Sequence, residues 1–358
     1  MKAFGGVYAG KRVLVTGHTG FKGSWLTFWL KEMGAEVTGL ALPPNTAPNH
    51  WDLLKLDIND RRGDIRDAAF VAEVVKQANP EVVFHLAAQP LVRESYRDPV
   101  GTWGTNLMGT VHLLEACRLT KGVRAIVVVT TDKVYENREW PWGYRETDRL
   151  GGHDPYSASK AAAEIAIGSY RKAFFADGGP LLASARGGNV IGGGDWSQDR
   201  LIPDLIRATQ AKGRLEIRSP GATRPWQHVL ECLTGYLLLC QHLLGGGARY
   251  AEAWNFGPGV EDNRTVAEIL TQLRSYWPGL EWFTTSQSQP HEANLLYVDN
   301  AKSHAALGWK PVWNLQHCLE ATAGWYRAWY ENSRVESGVQ LDTYVQDARA
   351  AGVWWAGS

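Results

Sequence analysis

Apolar and polar positions alternate between two periods along the first half of the chain. Short apolar runs rich in β-branched residues predict strands at residues 11–16, 36–42, 81–87, 123–131 and 181–190. Longer segments with apolar residues at helical spacing predict helices at residues 22–33, 66–79, 99–120 and 155–175. This alternation implies right-handed crossovers and a parallel sheet with both faces covered. We therefore predict an α/β fold with a doubly wound parallel sheet, whose ligands lie beyond the carboxyl ends of the strands.

The regular alternation ends near residue 190. Three consecutive glycines at residues 192–194 open a loop, and shorter strands and helices follow. We predict a first domain at residues 1–190, a smaller lobe made mainly of residues 191–335 that packs on the first sheet, and a tail at residues 336–358 whose order the pattern leaves open.

Composition narrows the function classes. The chain has 37 Lys and Arg and 37 Asp and Glu, and this formal net charge of zero argues against nucleic acid or an anionic membrane as a general partner. No stretch as long as a membrane span is free of charges, and the first residues lack the apolar run of a signal peptide. The four cysteines lie far apart without CxxC spacing, which favours reduced core thiols and a cytoplasmic location. The ten histidines show no metal-ligand spacing, so no metal is predicted.

A glycine-rich turn lies between the first strand and the first helix. Its glycines permit a tight turn, a close approach of backbone N–H groups to a pyrophosphate, and close packing of helix on strand. The positive end of the helix dipole then faces the phosphates. An ordinary strand-to-helix turn is the alternative, but the position of the turn favours a dinucleotide. The predicted cofactor contacts of this turn are Gly17, His18, Thr19, Gly20, Phe21, Lys22 and Gly23.

The second strand does not identify the dinucleotide. A carboxylate that holds the ribose of NAD, or an arginine that holds the extra phosphate of NADP, is expected at its end, but residues 40–45 are neither acidic nor basic. We predict NAD, because this segment offers no cation for a 2′-phosphate. Asp64 and Ile65, in the turn after the next short strand, are candidate adenine contacts; alternatively, Asp64 only caps the following helix.

Tyr156 and Lys160 lie one turn apart on the same face of a predicted helix. A nearby ammonium favours the tyrosinate, so the phenol can accept a proton from a hydroxyl group as hydride leaves the same carbon. The lysine can also bond the ribose next to the nicotinamide. A solvated helix face is the alternative for this spacing, which gains weight because it follows the glycine turn.

The chain resembles the extended branch of the short-chain dehydrogenase/reductase family along nearly its whole length. The glycine turn, residues 85–89, residues 106–110, the tyrosine–lysine pair and residues 189–190 match the family pattern in order. The resemblance implies a Rossmann domain that binds NAD and carries the catalytic residues, and a C-terminal lobe that binds the substrate. The further cofactor contacts that it implies are Leu86, Ala87, Ala88, Gln89 and Asn106.

Within that branch the chain is most similar to the CDP-glucose 4,6-dehydratases. The segments that carry this similarity are residues 16–26, 89–93, 137–140, 192–196, 224–229 and 290–293. In related sugar dehydratases a Thr-Asp-Glu triplet follows the fifth strand, with threonine on the 4-oxygen, aspartate as acid and glutamate as base. Here the triplet is Thr131, Asp132 and Lys133. Lys133 is a base only if its pKa is lowered, and it can instead stabilise an enolate as a cation.

The resemblance implies that the chain is a hydro-lyase that converts CDP-glucose to CDP-4-keto-6-deoxyglucose. Tyr156, helped by Thr131, accepts the proton of the 4-hydroxyl as C4 is oxidised. The C5 hydrogen is then removed, Asp132 protonates the departing C6 hydroxyl, and hydride returns to C6. A nucleotide-sugar epimerase with the same cofactor is the nearest alternative, and an NAD-binding protein without activity is a more distant one.

The diphosphate of a CDP-hexose requires cationic or amide donors. The candidate substrate-binding residues are Arg93, Asn189, Arg200, Arg224, His291 and Glu292. Solvated arginines are the alternative for the three cations. The helices predicted at residues 99–120 and 155–175 carry apolar residues beyond one stripe, and together with the resemblance they predict a homodimer or a dimer of dimers.

Overall fold

A computed structural model describes residues 1–217, 219–284 and 295–357. Its main sheet has seven parallel strands in the order β10-β6-β5-β4-β1-β2-β3. The strands are β1 (Arg12–Thr16), β2 (Glu36–Ala41), β3 (Asn59–Arg62), β4 (Val82–His85), β5 (Ala125–Val129), β6 (Leu181–Gly187), β7 (Asn189–Ile191), β8 (Leu215–Ile217), β9 (Thr223–His228), β10 (Ala253–Phe256), β11 (Asn263–Thr265) and β12 (Trp282–Thr284). This order confirms the doubly wound α/β fold. It reverses between β1 and β4, and the crevice for a ligand lies at that point.

Helices cover both faces of the main sheet. They are α1 (Phe21–Glu32), α2 (His50–Leu54), α3 (Ala68–Ala78), α4 (Val92–Arg97), α5 (Pro99–Trp103), α6 (Gly109–Arg118), α7 (Pro155–Ala173), α8 (Leu201–Gln210), α9 (Val229–Leu244), α10 (Val266–Tyr276), α11 (Ala301–Leu307), α12 (Leu315–Asn332) and α13 (Ser337–Ala350). A π-helical turn at Gly104–Met108 joins α5 to α6 and interrupts the helix predicted at residues 99–120.

Strand β5 shows why the central apolar run is uninterrupted. Val127 and Val129 pack into a core with α1 and α9, while Ile126 and Val128 pack into a second core with α3, α6 and α7. Successive side chains of a strand point to opposite faces, so a strand covered on both sides has no polar position. All five residues of β5 are buried.

The single strand predicted at residues 181–190 is wrong. The chain bends at Gly188, so that β6 ends in the main sheet and β7 pairs with β9 in a separate small sheet. A Cβ atom on Gly188 would lie 2.7 Å from Cγ of Pro225 and 3.0 Å from Oδ2 of Asp132. Only glycine allows this approach, and the bend brings β7 beside the end of β5.

Residues 336–358, whose order the sequence leaves open, contain α13 and a short turn at Trp354–Ala356. The ring of Trp355 is fully buried and stacks on Phe4 with 5.0 Å between ring centroids. The two ends of the described chain therefore share one core. Strand β10, from the predicted C-terminal lobe, forms an edge of the main sheet, and the domain boundary near residue 190 stays a prediction.

The structure also bears on the state of the cysteines and on the presence of membrane-spanning helices. The four cysteines are free, buried thiols, at Cys117, Cys232, Cys240 and Cys318. None of the helices in the described part of the chain combines the length and the apolar character needed to cross a bilayer.

Candidate active site

The turn between β1 and α1 has the close geometry that its glycines predict. Gly17 adopts a φ of 75°, and a Cβ atom there would lie 2.7 Å from the backbone nitrogen of Ala87. A Cβ atom on Gly23 would lie 2.0 Å from the carbonyl oxygen of Gly17. Helix α1 begins after Gly20 without a side-chain cap, so the N–H groups of its first turn are available to an anion beyond β1. This cradle fits the pyrophosphate of a dinucleotide.

The side chains of His18 and Thr19 are committed to the protein. Nε2 of His18 lies 2.9 Å from Oδ1 of Asp60, and its ring packs edge-on against Trp51. Burial lowers the pKa of His18, although Asp60 opposes the shift. The hydroxyl of Thr19 donates to the carbonyl oxygen of Leu42 over 2.9 Å. The cofactor contacts predicted for these two residues therefore concern their backbone atoms.

Lys22 extends from the same turn toward the predicted catalytic residues. Burial lowers the pKa of its amine, and the charge of Arg200 lowers it further, while Asp132 and Asp195 act in the opposite direction. Phe21, the preceding residue, is buried beneath the loop that follows β7. The charge of Lys22, a residue of the glycine turn, thus acts on the predicted catalytic residue Asp132.

The loop after β4 lies beside the glycine turn. Thr16, at the end of β1, accepts hydrogen bonds from the N–H groups of Leu86 and Ala87, each over 3.2 Å. In the register of the sheet Thr16 pairs with His85, so the carboxyl ends of β1 and β4 lie side by side. The predicted cofactor contacts at residues 86–89, Ala88 among them, therefore line the crevice beside the turn.

Asn106 joins this loop to α7. It lies in the π-helical turn and is 1% exposed. Its Oδ1 accepts from the backbone N–H of Gln89 over 2.8 Å, and its Nδ2 donates to the hydroxyl of Ser159 over 2.9 Å. Asn106 therefore fixes the crevice wall to the helix that carries Tyr156.

Asp64 does not cap the following helix. Asp67 caps α3 instead, since its side chain accepts from the N–H of Phe70 over 3.0 Å. Asp64 pairs with Arg66 over 2.6 Å, and that hydrogen bond lowers the pKa of Asp64. Ile65 is buried. The capping alternative is therefore wrong, and the adenine contact stays a prediction.

The end of β2 has a cation nearby, although residues 40–45 themselves offer none for a 2′-phosphate. Arg62 ends the adjacent strand β3 and donates to the carbonyl oxygen of Leu42 over 3.3 Å. The sequence did not reveal it because Arg62 reaches this position only through the pairing of β2 with β3. Its guanidinium also pairs with Asp60 over 2.6 Å, so a carboxylate already engages it.

Strand β5 leads directly into the predicted catalytic turn. Thr131 caps a short 3₁₀ turn, donating to Oδ1 of Asp132 over 3.0 Å and accepting from the N–H of Lys133 over 3.3 Å. Asp132 is 2% exposed, and burial raises its pKa, although Lys133 lowers it. A carboxyl group with a raised pKa can hold a proton and donate it.

Tyr156 and Lys160 are both buried at the start of α7. Burial raises the pKa of Tyr156 to about 12, against the effect of its hydrogen bond with Thr131 and the charge of Arg200. The amine of Lys160 donates to the carbonyl oxygen of Val129 over 3.3 Å. Burial, helped by the charge of Lys22, lowers the pKa of Lys160 to about 8. Burial therefore dominates the acidity of the phenol, rather than the ammonium that the spacing suggested.

The charges of two of the predicted substrate-binding arginines act on the predicted catalytic residues. The charge of Arg200 acts on Tyr156, and that of Arg224, which is 6% exposed, acts on Asp132. Arg224 also donates to the carbonyl oxygen of Thr223 over 2.9 Å. Both cations therefore lie within electrostatic range of the predicted catalytic residues.

The other substrate candidates are less closely tied to the turn. Arg93 on α4 pairs with Asp199 over 3.2 Å. Asn189 begins β7, directly after the bend that approaches Asp132, rather than ending the long strand predicted from sequence. His291 and Glu292 lie outside the described residues.

Asp195 was not assigned a role from the sequence. It is 4% exposed, and its Oδ2 accepts from the guanidinium of Arg200 over 3.0 Å. Its backbone N–H donates to the hydroxyl of Tyr326 over 3.0 Å, which anchors it to α12. A lone acidic residue after three glycines was the available signal. Only the fold reveals that this carboxylate holds Arg200 near Tyr156.

Comparisons with known proteins show which family the chain resembles in sequence. The sequence matches the family model described as GDP-mannose 4,6 dehydratase over residues 14–322. It is 48% identical over 330 residues to the CDP-glucose 4,6-dehydratase of Salmonella typhimurium, an alignment that covers 90% of this chain and 92% of that protein. It is 27% identical over 339 residues to the UDP-glucose 4-epimerase of Rhizobium leguminosarum, which covers 89% of this chain and 98% of the relative.

A solved structure supports the same relationship. The crystal structure of the Thermus thermophilus UDP-glucose 4-epimerase in complex with NAD superposes with a TM-score of 0.77 at 26% identity. The match covers 88% of this chain and 98% of the epimerase. The arrangement of sheet, crevice and lobe is therefore shared over nearly the whole of both molecules.

Proposed function

The chain belongs to the GDP-mannose 4,6-dehydratase family, and we propose that it dehydrates CDP-glucose to CDP-4-keto-6-deoxyglucose. The observation that carries this proposal is the turn after β5, where a buried carboxyl with a raised pKa, Asp132, lies between Thr131 and Lys133. Elimination needs an acid at this point, whereas exchange of configuration at C4 does not. The relationship to a CDP-glucose 4,6-dehydratase supports the choice of substrate.

NAD is the cofactor that the crevice fits. The glycine turn has no room for a Cβ atom at two of its glycines and leaves the start of α1 uncapped. The pyrophosphate would lie on residues 17–23, with residues 86–89 and Asn106 along the crevice, Lys160 at the ribose next to the nicotinamide, and residues 64–65 near the adenine. When bound, NAD supplies a hydride acceptor that later acts as the donor. NAD in the related Thermus epimerase supports this assignment.

Tyr156 takes the proton of the 4-hydroxyl while C4 is oxidised. Its pKa of about 12 makes the phenolate costly in this buried site. The hydrogen bond with Thr131 and the charge of Arg200 reduce that cost. Thr131 also holds the sugar 4-oxygen, so one hydroxyl orients both the base and the substrate.

Asp132 serves the elimination that follows. The 4-ketone acidifies the C5 hydrogen, because the carbanion left behind is an enolate. Burial raises the pKa of Asp132 and so favours its protonated form, and in this proposal its proton goes to the departing C6 hydroxyl, which leaves as water. Lys133 either removes the C5 proton or stabilises the enolate as a cation, and both roles remain in the proposal.

Arg200 and Arg224 are the residues we assign to the diphosphate of the substrate, because their charges act on Tyr156 and Asp132 and a phosphate requires cationic donors. Asp195 orients Arg200 through their 3.0 Å ion pair. Arg93, Asn189, His291 and Glu292 stay predicted contacts elsewhere along the substrate. Cytidine is favoured over other bases by the relationship alone.

A homodimer is the assembly we propose, with a dimer of dimers as its extension. The surface of α5, the π-helical turn and α7 exposes several large apolar side chains. They are Val100, Trp103, Met108, Ile165 and Phe174. An apolar patch of this kind is typical of an interface between copies. The four buried, free cysteines support a reducing, cytoplasmic location.

The reaction is tested by incubating the protein and NAD with CDP-, dTDP- and GDP-hexoses. Dehydration of CDP-glucose gives a product lighter by one water and with the strong alkaline absorbance of keto-deoxy sugars. An epimerase would give a product of unchanged mass. Unchanged CDP-glucose in the presence of NAD would contradict both enzymatic functions.

A further inference from the structure

A buried ion pair lies directly behind the catalytic turn. Glu164 of α7 and Arg186 of β6 are 2.8 Å apart, and their side chains are 3% and 4% exposed. Glu164 follows Lys160 by one helical turn. A buried ion pair contributes little to stability unless its remaining donors and acceptors also form hydrogen bonds. The other hydrogen-bond partners of this pair therefore indicate which parts of the fold it holds together.

The carboxylate of Glu164 connects α7 to two strands. Its Oε1 accepts from the hydroxyl of Thr130 over 2.6 Å, and its Oε2 accepts from the hydroxyl of Ser184 over 2.8 Å. Burial raises the pKa of Glu164, but Arg186 and the two hydroxyls outweigh it, and the net pKa is lowered. A charged carboxylate with three donors is a rigid junction.

Arg186 carries the same junction to the far end of the catalytic turn. Its guanidinium donates to the hydroxyl of Tyr135 over 2.9 Å, and that hydroxyl donates to Oδ1 of Asn255 over 2.7 Å. Thr130 and Tyr135 are the residues just before and just after the turn at residues 131–134. Both ends of the turn are therefore fastened to one ion pair.

We propose that the Glu164–Arg186 pair is a positioning device that fixes the turn at residues 131–134 against α7. The inference rests on the proposed dehydratase function. Tyr156, on α7, serves the oxidation at C4, whereas Asp132, on the turn, serves the elimination across C5 and C6. The two steps share one bound sugar, so their groups must keep a fixed separation. Thr130 and Tyr135 transmit that separation from helix to turn.

The test uses two substitutions that each remove one hydroxyl donor from Glu164. Thr130→Val removes the donor on the catalytic turn, and Ser184→Ala, the matched control, removes the donor on β6. Rapid mixing with CDP-glucose and NAD measures the appearance of reduced cofactor and its later decay as separate rates. For Thr130→Val we expect the decay to slow by about tenfold to a hundredfold, the effect of a small misplacement, and the first rate, to which Thr131 of the same turn contributes, to slow less than the decay.

Three further variants test whether the slow decay comes from the contacts that hold the turn at residues 131–134. Ser184→Ala loses a similar hydrogen bond and should keep both rates within about twofold to threefold of the wild type. Thr130→Ser, which keeps the hydroxyl, should restore the decay rate. Tyr135→Phe loosens the other end of the turn and should reproduce the slow decay, which provides a second measurement if Thr130→Val does not fold.

Two outcomes would contradict the positioning role of the ion pair, and a third would contradict the proposed function itself. Equal effects of Thr130→Val and Ser184→Ala on the decay would show that the pair only supports the fold. Equal slowing of both rates by Thr130→Val would show that the turn is not placed separately from Tyr156. A wild-type protein that leaves CDP-glucose unchanged would contradict the proposed function and with it the inference, whereas the first two outcomes contradict the inference alone.

Discussion

At the scale of single residues, Asp132 shows how burial favours the protonated form of a common side chain. An aspartate in water has lost its proton at neutral pH, but Asp132 is 2% exposed and burial raises its pKa. The position of Asp132 after β5 could be predicted from the sequence. Its burial could not, because the backbone that approaches its carboxyl group is that of Gly188, far along the chain.

Asp132→Asn removes the proton while keeping the size of the side chain. We expect C4 still to be oxidised, because Tyr156 and Thr131 are intact, while product formation falls about 10²- to 10⁴-fold, the usual contribution of a general acid. Near-ultraviolet absorbance after rapid mixing should show reduced cofactor that accumulates instead of decaying. Asp177→Asn, at an exposed site after α7, is the control. An Asp132→Asn protein with wild-type product formation would disprove the acid role.

At the scale of elements, the π-helical turn between α5 and α6 places a polar side chain where a regular helix would not. Its apolar pattern resembles that of one continuous helix, so the sequence predicted none of this irregularity. Single π-helical turns are common at functional sites. Here the turn places Asn106 between Gln89 and Ser159. Its hydrogen bonds connect the wall of the crevice to α7.

Asn106→Ala should loosen the cofactor crevice. Three hydrogen bonds of the side chain are lost and Gln89 keeps an unsatisfied N–H group, so we expect the affinity for NAD to fall by about tenfold or more. Calorimetric titration with NAD measures the change. Asn106→Asp keeps an acceptor for Gln89 and should lie between the wild type and Asn106→Ala. Equal affinity of all three proteins would contradict the role of this side chain.

Helix α9 is joined to the C-terminal elements by a second buried carboxyl. Glu231 accepts from the backbone N–H groups of Val312 and Trp313, over 3.0 and 2.7 Å, and from the hydroxyl of Tyr344 over 2.9 Å. Burial raises the pKa of Glu231 to about 7, against the effect of these donors. A carboxyl in this state makes the attachment of α13 sensitive to pH.

The pH dependence of unfolding should report Glu231. Its pKa in the folded protein, about 7, lies above its ordinary value of 4.5, so the folded state keeps a proton that the unfolded state has lost. The resulting stabilisation is complete below pH 4.5 and is lost as the pH rises through 7, by about 3 kcal/mol in all. Urea unfolding of the wild type and Glu231→Gln at several pH values measures it. The stability of the wild type relative to Glu231→Gln should fall over this range, because only the wild type titrates at this site, and a constant difference, as expected for exposed Glu320→Gln, would disprove it.

The main sheet was largely predictable from sequence, and the irregular parts were not. Strands such as β5 are buried on both faces, so their apolar runs carry the information locally. The bend at Gly188 depends on the distant Pro225, and the cation at the end of β2 depends on the pairing that brings Arg62 there. The candidate site follows the same division, since Tyr156 was recognisable by spacing while Asp195 required the fold.

At the scale of the whole molecule, the apolar surface of α5 and α7 determines the proposed assembly. Ile165 is 65% exposed on α7 and Val100 is 81% exposed on α5. Burying such side chains against a second copy removes apolar area from water, at about 25 cal/mol per Å². The two helices would then pack against their symmetry mates across a twofold axis.

Ile165→Glu should weaken the dimer. A charge in the centre of the apolar surface loses its hydration on association, so we expect monomers at micromolar concentrations where the wild type is dimeric. Light scattering after size-exclusion chromatography measures the mass. Val339→Glu, on α13, is the matched control because Val339 is 62% exposed outside this surface. A wild type that is monomeric, or an Ile165→Glu protein that remains dimeric, would contradict the proposed interface.

The stacking of Phe4 on Trp355 has a consequence for how the protein is made. The ring of Trp355 also contacts Trp29 of α1, with 6.1 Å between centroids. During translation the segment that holds Phe4 and α1 is synthesised long before its aromatic partner Trp355. The nascent chain therefore lacks the partner of these aromatic rings until Trp355 emerges.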